Sequence, residues 1–154
     1  NHNFMGIEGY EADDLVLSYE HQNPQFDCIK VSPDKDILNL CGVNFNPRKM
    51  EIKQTSLEEE QEFFWKSMIC GDTVDGIKGI PKWGEKSFNL IKETLPFGTS
   101  KMNNAYYRET ILHCYCNVFG EYEGIKEFYK NYRSLKIINN AILTDVKLNK
   151  VTSD

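Results

Sequence analysis

Residues 27–32 (DCIKVS) are the stretch that most constrains the fold. They read as a buried strand with Cys28, Ile29 and Val31 apolar, and Ser32-Pro33-Asp34 ends it because proline cannot continue a central ladder. Ahead of the strand, residues 11–22 (EADDLVLSYEHQ) place Leu15, Val16 and Tyr19 behind a first turn of carboxylates, the pattern of a short amphipathic helix. After it, residues 36–40 read as a helical turn stopped near Gly42. A strand between helices belongs to an α/β sheet, and one strand makes no sheet alone. Partner strands are therefore expected ahead of Asn1, so that the 154 residues form part of a longer domain.

Residues 43–55 alternate around Asn46-Pro47-Arg48-Lys49, a turn between two short strands. Ser56 followed three residues later by Glu59 is a capping box, opening a helix through about Cys70 whose Phe63, Phe64, Trp65, Met68 and Ile69 are core candidates. Residues 71–86 (GDTVDGIKGIPKWGEK) read as a glycine-rich loop that lets backbone approach a partner closely. A helix is expected from about Glu85 to Thr94, a break at Pro96-Phe97-Gly98, and helices over 103–119 and 122–134 divided at Gly120. Residues 146–154 read as a polar tail.

Charge is divided along the chain. The net charge is −5, but residues 1–75 hold 15 acidic and 6 basic side chains, whereas residues 76–154 hold 8 acidic and 12 basic. Such a division suits an acidic half that gathers cations and a basic half that meets an anion. No apolar run is long enough to span a bilayer, and no signal peptide opens the chain. The five scattered cysteines lack the spacing of a zinc site and are expected to be reduced thiols of a cytoplasmic protein.

The acids form three clusters: Glu11, Asp13 and Asp14; Asp34 and Asp36; Asp72 and Asp75. Each falls where a strand or helix gives way to a turn, so the side chains can converge at the strand ends, where open sheets bind ligands. Crowded carboxylates repel and raise one another's pKa, which bound divalent cations relieve; hard oxygen donors suit Mg²⁺ or Mn²⁺. Taken one at a time, an acidic pair at a helix start is more often a cap, and Asp72 and Asp75, three residues apart, also suit one face of a helix.

The clusters resemble, in order, the motifs of the 5′ nucleases. That family takes in the 5′→3′ exonuclease domain of bacterial DNA polymerase I, phage exonucleases and flap endonucleases. Gly9-Tyr10-Glu11-Ala12-Asp13-Asp14 resembles G-x-E-A-D-D, and Ser32-Pro33-Asp34-Lys35-Asp36 resembles a motif usually written with glycine before D-K-D or D-R-D. Gly71-Asp72-Thr73-Val74-Asp75-Gly76-Ile77 resembles G-D-x-x-D-N-I, and residues 79–86 resemble the loop G-I-P-G-I-G-x-K, with Lys82 and Trp83 where the loop has Gly-Ile. The likeness is strong over about residues 6–95 and looser over 103–140.

The resemblance implies an α/β, PIN-like nuclease domain, present in part over residues 1–75, then a helix–three-turn–helix DNA-binding module over 76–150. It implies two Mg²⁺ or Mn²⁺ ions, with Glu11, Asp13 and Asp14 at the first metal region, Asp34 and Asp36 in the same pocket, and Asp72 and Asp75 at the second. Asp34, Asp36 and the intervening Lys35 are the catalytic candidates. Lys78, Gly79, Ile80, Lys82, Gly84 and Lys86 would grip the phosphates of duplex DNA without reading sequence, with a K⁺ on the loop carbonyls. The expected activity is 5′→3′ exonuclease or flap endonuclease cleavage, in the cytoplasm, by a monomer, on DNA with a 5′ end, nick or flap, with RNA–DNA hybrids as a further substrate. The family's first aspartate, second acid and helical arch have no counterpart here, so the 154 residues alone are expected to be weak or inactive. The rivals are a noncatalytic DNA-binding fragment, a PIN-type ribonuclease, for which a duplex clamp has no use, and a structural or Ca²⁺-binding α/β domain, which leaves the basic loop unexplained.

Overall fold

The computed structural model describes residues 2–4, 6–94, 104–137 and 149–151. The chain forms two compact units, Asn1–Thr55 with Ile137–Asp154, and Ser56–Lys136. No helix among the described residues is long and apolar enough to cross a membrane.

The first unit runs β1 (His2–Phe4), α1 (Ala12–Gln22), β2 (Ile29–Val31), α2 (Lys35–Leu38), β3 (Gly42–Asn46) and β4 (Glu51–Thr55). β2 lies parallel to β3, and β4 returns antiparallel to β3, Gly42 opposite Thr55 and Asn46 opposite Glu51. The return is built by Asn46, whose Oδ1 accepts from the N–H groups of Arg48 and Lys49 at 3.0 and 3.2 Å, a side-chain mimic of a backbone turn. β2 thus has one parallel partner within these residues, β3. β1 pairs antiparallel with a last strand at 149–151, inside the stretch expected to be a tail; residues 146–148 and 152–154 of that stretch lie outside the described residues, as does Pro96-Phe97-Gly98.

The reading of β2 as a buried apolar strand is also corrected. Ile29 and Val31 are 59% and 63% exposed, and the buried residue between them is Lys30. Register extends this inversion across the sheet. One face carries Ile29, Val31, Val43, Phe45 and the exposed Ile52; the other carries Lys30, Asn44 and Thr55, all buried. The donors on this polar buried face are paired. Asn44 Nδ2 donates to the Leu40 carbonyl at 2.9 Å, and Thr55 Oγ1 donates to the Leu38 carbonyl at 3.1 Å. Three apolar side chains are buried in this unit among the described residues, Leu15, Ile37 and Leu40.

The second unit is mostly helical: α3 (Leu57–Cys70), a hairpin of β5 (Gly71–Asp72) and β6 (Ile77–Lys78), α4 (Glu85–Glu93), α5 (Asn104–Phe119) and α6 (Glu121–Leu135). The capping box at its entrance is present, with Ser56 Oγ accepting from Glu59 N–H at 3.1 Å and the Glu59 carboxylate accepting from Ser56 N–H at 2.7 Å. Trp65, Met68 and Ile69 of α3 meet Ile80, Phe88, Ile91, Tyr107, Ile111, Tyr115 and Phe128 in one core. Each such side chain contributes roughly 1.5–3 kcal/mol on burial. Polar ties cross this core: Tyr115 donates to the Met68 carbonyl at 2.5 Å, and Asn131 Nδ2 donates to the Tyr115 hydroxyl at 2.8 Å and to the Lys78 carbonyl at 2.7 Å.

Candidate metal centre and nucleic-acid loop

In the first unit the acids come from two element starts. α1 begins after Glu11, with Asp13 and Asp14 in its first turn, and the Asp14 carboxylate accepts from Glu11 N–H at 3.3 Å. Asp34 caps α2: its Oδ1 accepts from Asp36 N–H at 3.0 Å, and its own N–H is held by Ser32 Oγ at 3.0 Å. The cap that the residue pattern allows and the metal role that the resemblance assigns thus fall on one side chain. The fold brings the two stretches together. The Asp13 carboxyl is raised above its ordinary range, first by burial and then by the charges of Asp34, Asp36, Glu11 and Asp14. Five carboxylates therefore share one neighbourhood, and neighbouring charge disfavours ionisation of the half-buried one among them. Lys35 leans on its neighbour, Nζ to Asp36 Oδ1 at 3.1 Å, and offsets part of this charge. Hard oxygen donors crowded around one raised carboxyl suit a metal cation.

In the second unit Asp72 and Asp75 sit on the β5–β6 hairpin, so the alternative that placed them on one helical face is corrected. Asp72 ends β5, is 8% exposed, and starts the turn by accepting from Val74 N–H at 3.0 Å. Asp75 is exposed in the turn, and one carboxylate oxygen of each lies within 4.8 Å of the other. A hairpin forms instead of a helix because Gly71 and Gly76 take positive φ, which ends α3 and closes the turn.

The expected phosphate loop divides into buried and open parts. Ile80 is buried in the core and donates its N–H to the Ile69 carbonyl at 2.9 Å. A Cβ on Gly79 would lie 2.1 Å from that same carbonyl oxygen, so Gly79 serves packing. Gly84 is open, with nothing within 4 Å of where a Cβ would stand, and leads into α4, while Trp83 packs against the core. Lys82 is exposed with φ +68, the left-handed region that favours glycine.

The lysines of this unit separate by partner. Lys66, Lys92, Lys126 and Lys130 each pair with a glutamate, whereas Lys78, Lys82 and Lys86 have no ion-pair partner among the described residues. Burial raises the thiols of Cys70 and Cys114, which disfavours their thiolates, and none of the five cysteines is in a disulfide. Sequence reasoning missed Lys30, whose ammonium is held by Glu20 and the Cys41 carbonyl. A charged residue between two apolar ones in a strand was the available signal.

No family model matches the chain. It is 30% identical over 155 aligned positions to a DNA polymerase I of Borreliella burgdorferi, an alignment covering 88% of this chain and 17% of that protein. It is 32% identical over 94 positions to a 5′-3′ exonuclease of Buchnera aphidicola, covering 54% of this chain and 33% of the relative. The chain therefore spans well under half the length of these relatives. Among solved structures, the T5 D15 protein co-crystallised with metal ions shares the fold at a TM-score of 0.50 and 17% identity, over 84% of this chain and 60% of that one. With its motif order and α/β architecture, the chain belongs to the 5′ nuclease family, of whose members it matches a part.

Proposed function

We propose that this chain supplies the metal-binding carboxylates and the duplex-gripping loop of a nuclease that hydrolyses phosphodiester bonds in DNA, as a 5′→3′ exonuclease or flap endonuclease. The observation that carries this is the meeting of Glu11, Asp13 and Asp14 with Asp34 and Asp36 in one charge cluster. In this reading those five carboxylates hold a divalent cation, and Asp72 and Asp75 serve a second metal region. The chemistry such ions supply is acidification of water and neutralisation of charge on the attacking and leaving oxygens. The protein's own part is to hold the oxygens: Ser32 and the start of α2 fix Asp34, and the start of α1 fixes Asp14. Lys35, paired with Asp36, meets a phosphate at the same centre in this reading.

Substrate binding in this reading falls to residues 76–150, acting as a helix–three-turn–helix module. Lys78, Lys82 and Lys86, left without acidic partners, meet DNA phosphates together with backbone N–H groups near Gly84 at the start of α4. Ile80 and Gly79 support the loop from its buried side. Such contacts carry no base specificity and weaken steeply with salt. Cysteines without disulfides agree with work in the cytoplasm, where DNA is the substrate.

The test is Mn²⁺ titration of the chain, followed by the loss of the free-ion paramagnetic resonance signal, together with binding and cleavage of 5′-flapped and nicked duplexes and of an RNA–DNA hybrid. Asp34→Asn is expected to weaken Mn²⁺ binding by at least about ten-fold while leaving duplex affinity in place. Duplex binding without metal binding would leave a noncatalytic DNA-binding role, and preference for single-stranded RNA would favour a ribonuclease.

A further inference from the structure

The first unit holds a buried ion pair in its polar interior. Among the described residues it buries few apolar side chains, Leu15, Ile37 and Leu40, and apolar contact is non-directional. At the middle of the covered face lies Lys30, 4% exposed. Its ammonium donates to Glu20 Oε1 at 2.9 Å, to Glu20 Oε2 at 2.8 Å and to the Cys41 carbonyl at 2.7 Å, so three donors meet three acceptors. Glu20 belongs to the C-terminal end of α1, Lys30 to β2, and Cys41 to the turn between α2 and β3. The neighbouring residue is fitted to the pair. Gly42 has φ +111, and a Cβ there would lie 2.9 Å from Lys30 Nζ and 3.1 Å from Glu20 Oε1.

We propose that the buried Lys30–Glu20 pair, seated against Gly42, is a positioning device for the carboxylate cluster. The ammonium ties together the elements that carry the acids. α1 bears Asp13 and Asp14 at its other end, about 10 Å from Glu20 at 1.5 Å per residue, and β2 leads within four residues to Asp34. The pair is too far from the acids to be a ligand. It acts by setting the slide and rotation of α1 against the sheet, and hence which oxygens of Glu11, Asp13 and Asp14 face Asp34 and Asp36. Stability is a poor account of it, because the desolvation of a buried ion pair offsets most of its attraction and apolar replacements are often equally stable. Fixing one arrangement among several is what directional bonds do and the three apolar side chains cannot.

The inference rests on the metal reading above, and its test separates the two. Mn²⁺ is titrated into the full chain and into Lys30→Met/Glu20→Leu, Glu20→Gln and Lys30→Arg, each checked by circular dichroism and thermal melting. The double variant is expected to melt at or above the wild-type temperature, yet to bind Mn²⁺ roughly ten-fold more weakly. Lys30→Arg, which keeps the charge and the donors, is expected to retain most of the affinity. If the double variant does not fold, Glu20→Gln, which keeps a hydrogen-bond acceptor, is read by the same measurement. Folded variants that bind Mn²⁺ as tightly as wild type overturn the positioning role alone. A wild-type chain that takes up no Mn²⁺ overturns the metal reading and this inference with it.

Discussion

Two side chains, Lys82 and Asp13, carry a cost that points to what they do. Lys82 occupies left-handed backbone where the resembling loop has glycine. That conformation costs a side-chain-bearing residue roughly 1–2 kcal/mol, part of which a glycine returns as extra unfolded-state entropy. Lys82→Gly is expected to raise stability by about 0.5–1 kcal/mol in urea unfolding while lowering the salt dependence of duplex binding by about one phosphate contact. Asp13 bears its cost as charge. Its folded pKa is raised above the ordinary 3.8 by burial and by four neighbouring carboxylates. A carboxyl raised on folding destabilises the folded chain progressively as pH climbs from the ordinary value through the raised one, and fully above it. Asp13→Asn should therefore raise the melting temperature at about pH 7 and leave it unchanged at about pH 3, below both values. Added Mg²⁺ should narrow the neutral-pH difference, since only the wild type retains all its ligands; an equal gain at both pH values would sink this account.

At the scale of elements, helices were legible and strand environments were not. The helices over 11–22, from Ser56 to Cys70, from Glu85, and on either side of Gly120 stand within a residue or two of their expected limits, because capping residues and a 3.6-residue period are written locally. β2 was misread because three residues alternating apolar, charged, apolar fit either orientation, and only the partner elements decide which face is covered. The 71–78 hairpin was hidden by its two-residue strands, too short to show a period. Packing between helices is similarly nonlocal. Gly124 of α6 meets α5 so closely that a Cβ would lie 2.5 Å from the Cys116 Cα. Gly124→Ala must push the helices apart, and a loss of about 1–3 kcal/mol in stability is expected by chemical denaturation. Ala is otherwise the better helix former, so a gain would show that the crossing relaxes freely.

The molecule as a whole combines two kinds of interior. The second unit buries ten apolar and aromatic side chains in one cluster; the first relies on Lys30, Asn44 and Thr55 with their bonds. Apolar burial supplies most folding free energy, whereas satisfied polar groups contribute little net. Backbone amides of α3, α5 and α6 are therefore expected to exchange with deuterium at least about ten-fold more slowly than those of α1 and β2, measured by mass spectrometry. Equal protection would mean that the polar interior is as strong as the apolar one. By itself the sequence determined the helices, the caps, the order of the three acidic clusters and the separation of acidic from basic halves, since each is a property of neighbouring residues. Only the tertiary structure decided that Asp13 stands among Asp34 and Asp36, that Lys30 lies inside and Ile29 outside, and that Asn131 holds the Lys78 carbonyl. Those outcomes depend on contacts between residues 10 to 53 positions apart, and which of them form is settled by the packing of whole elements rather than by the chain nearby.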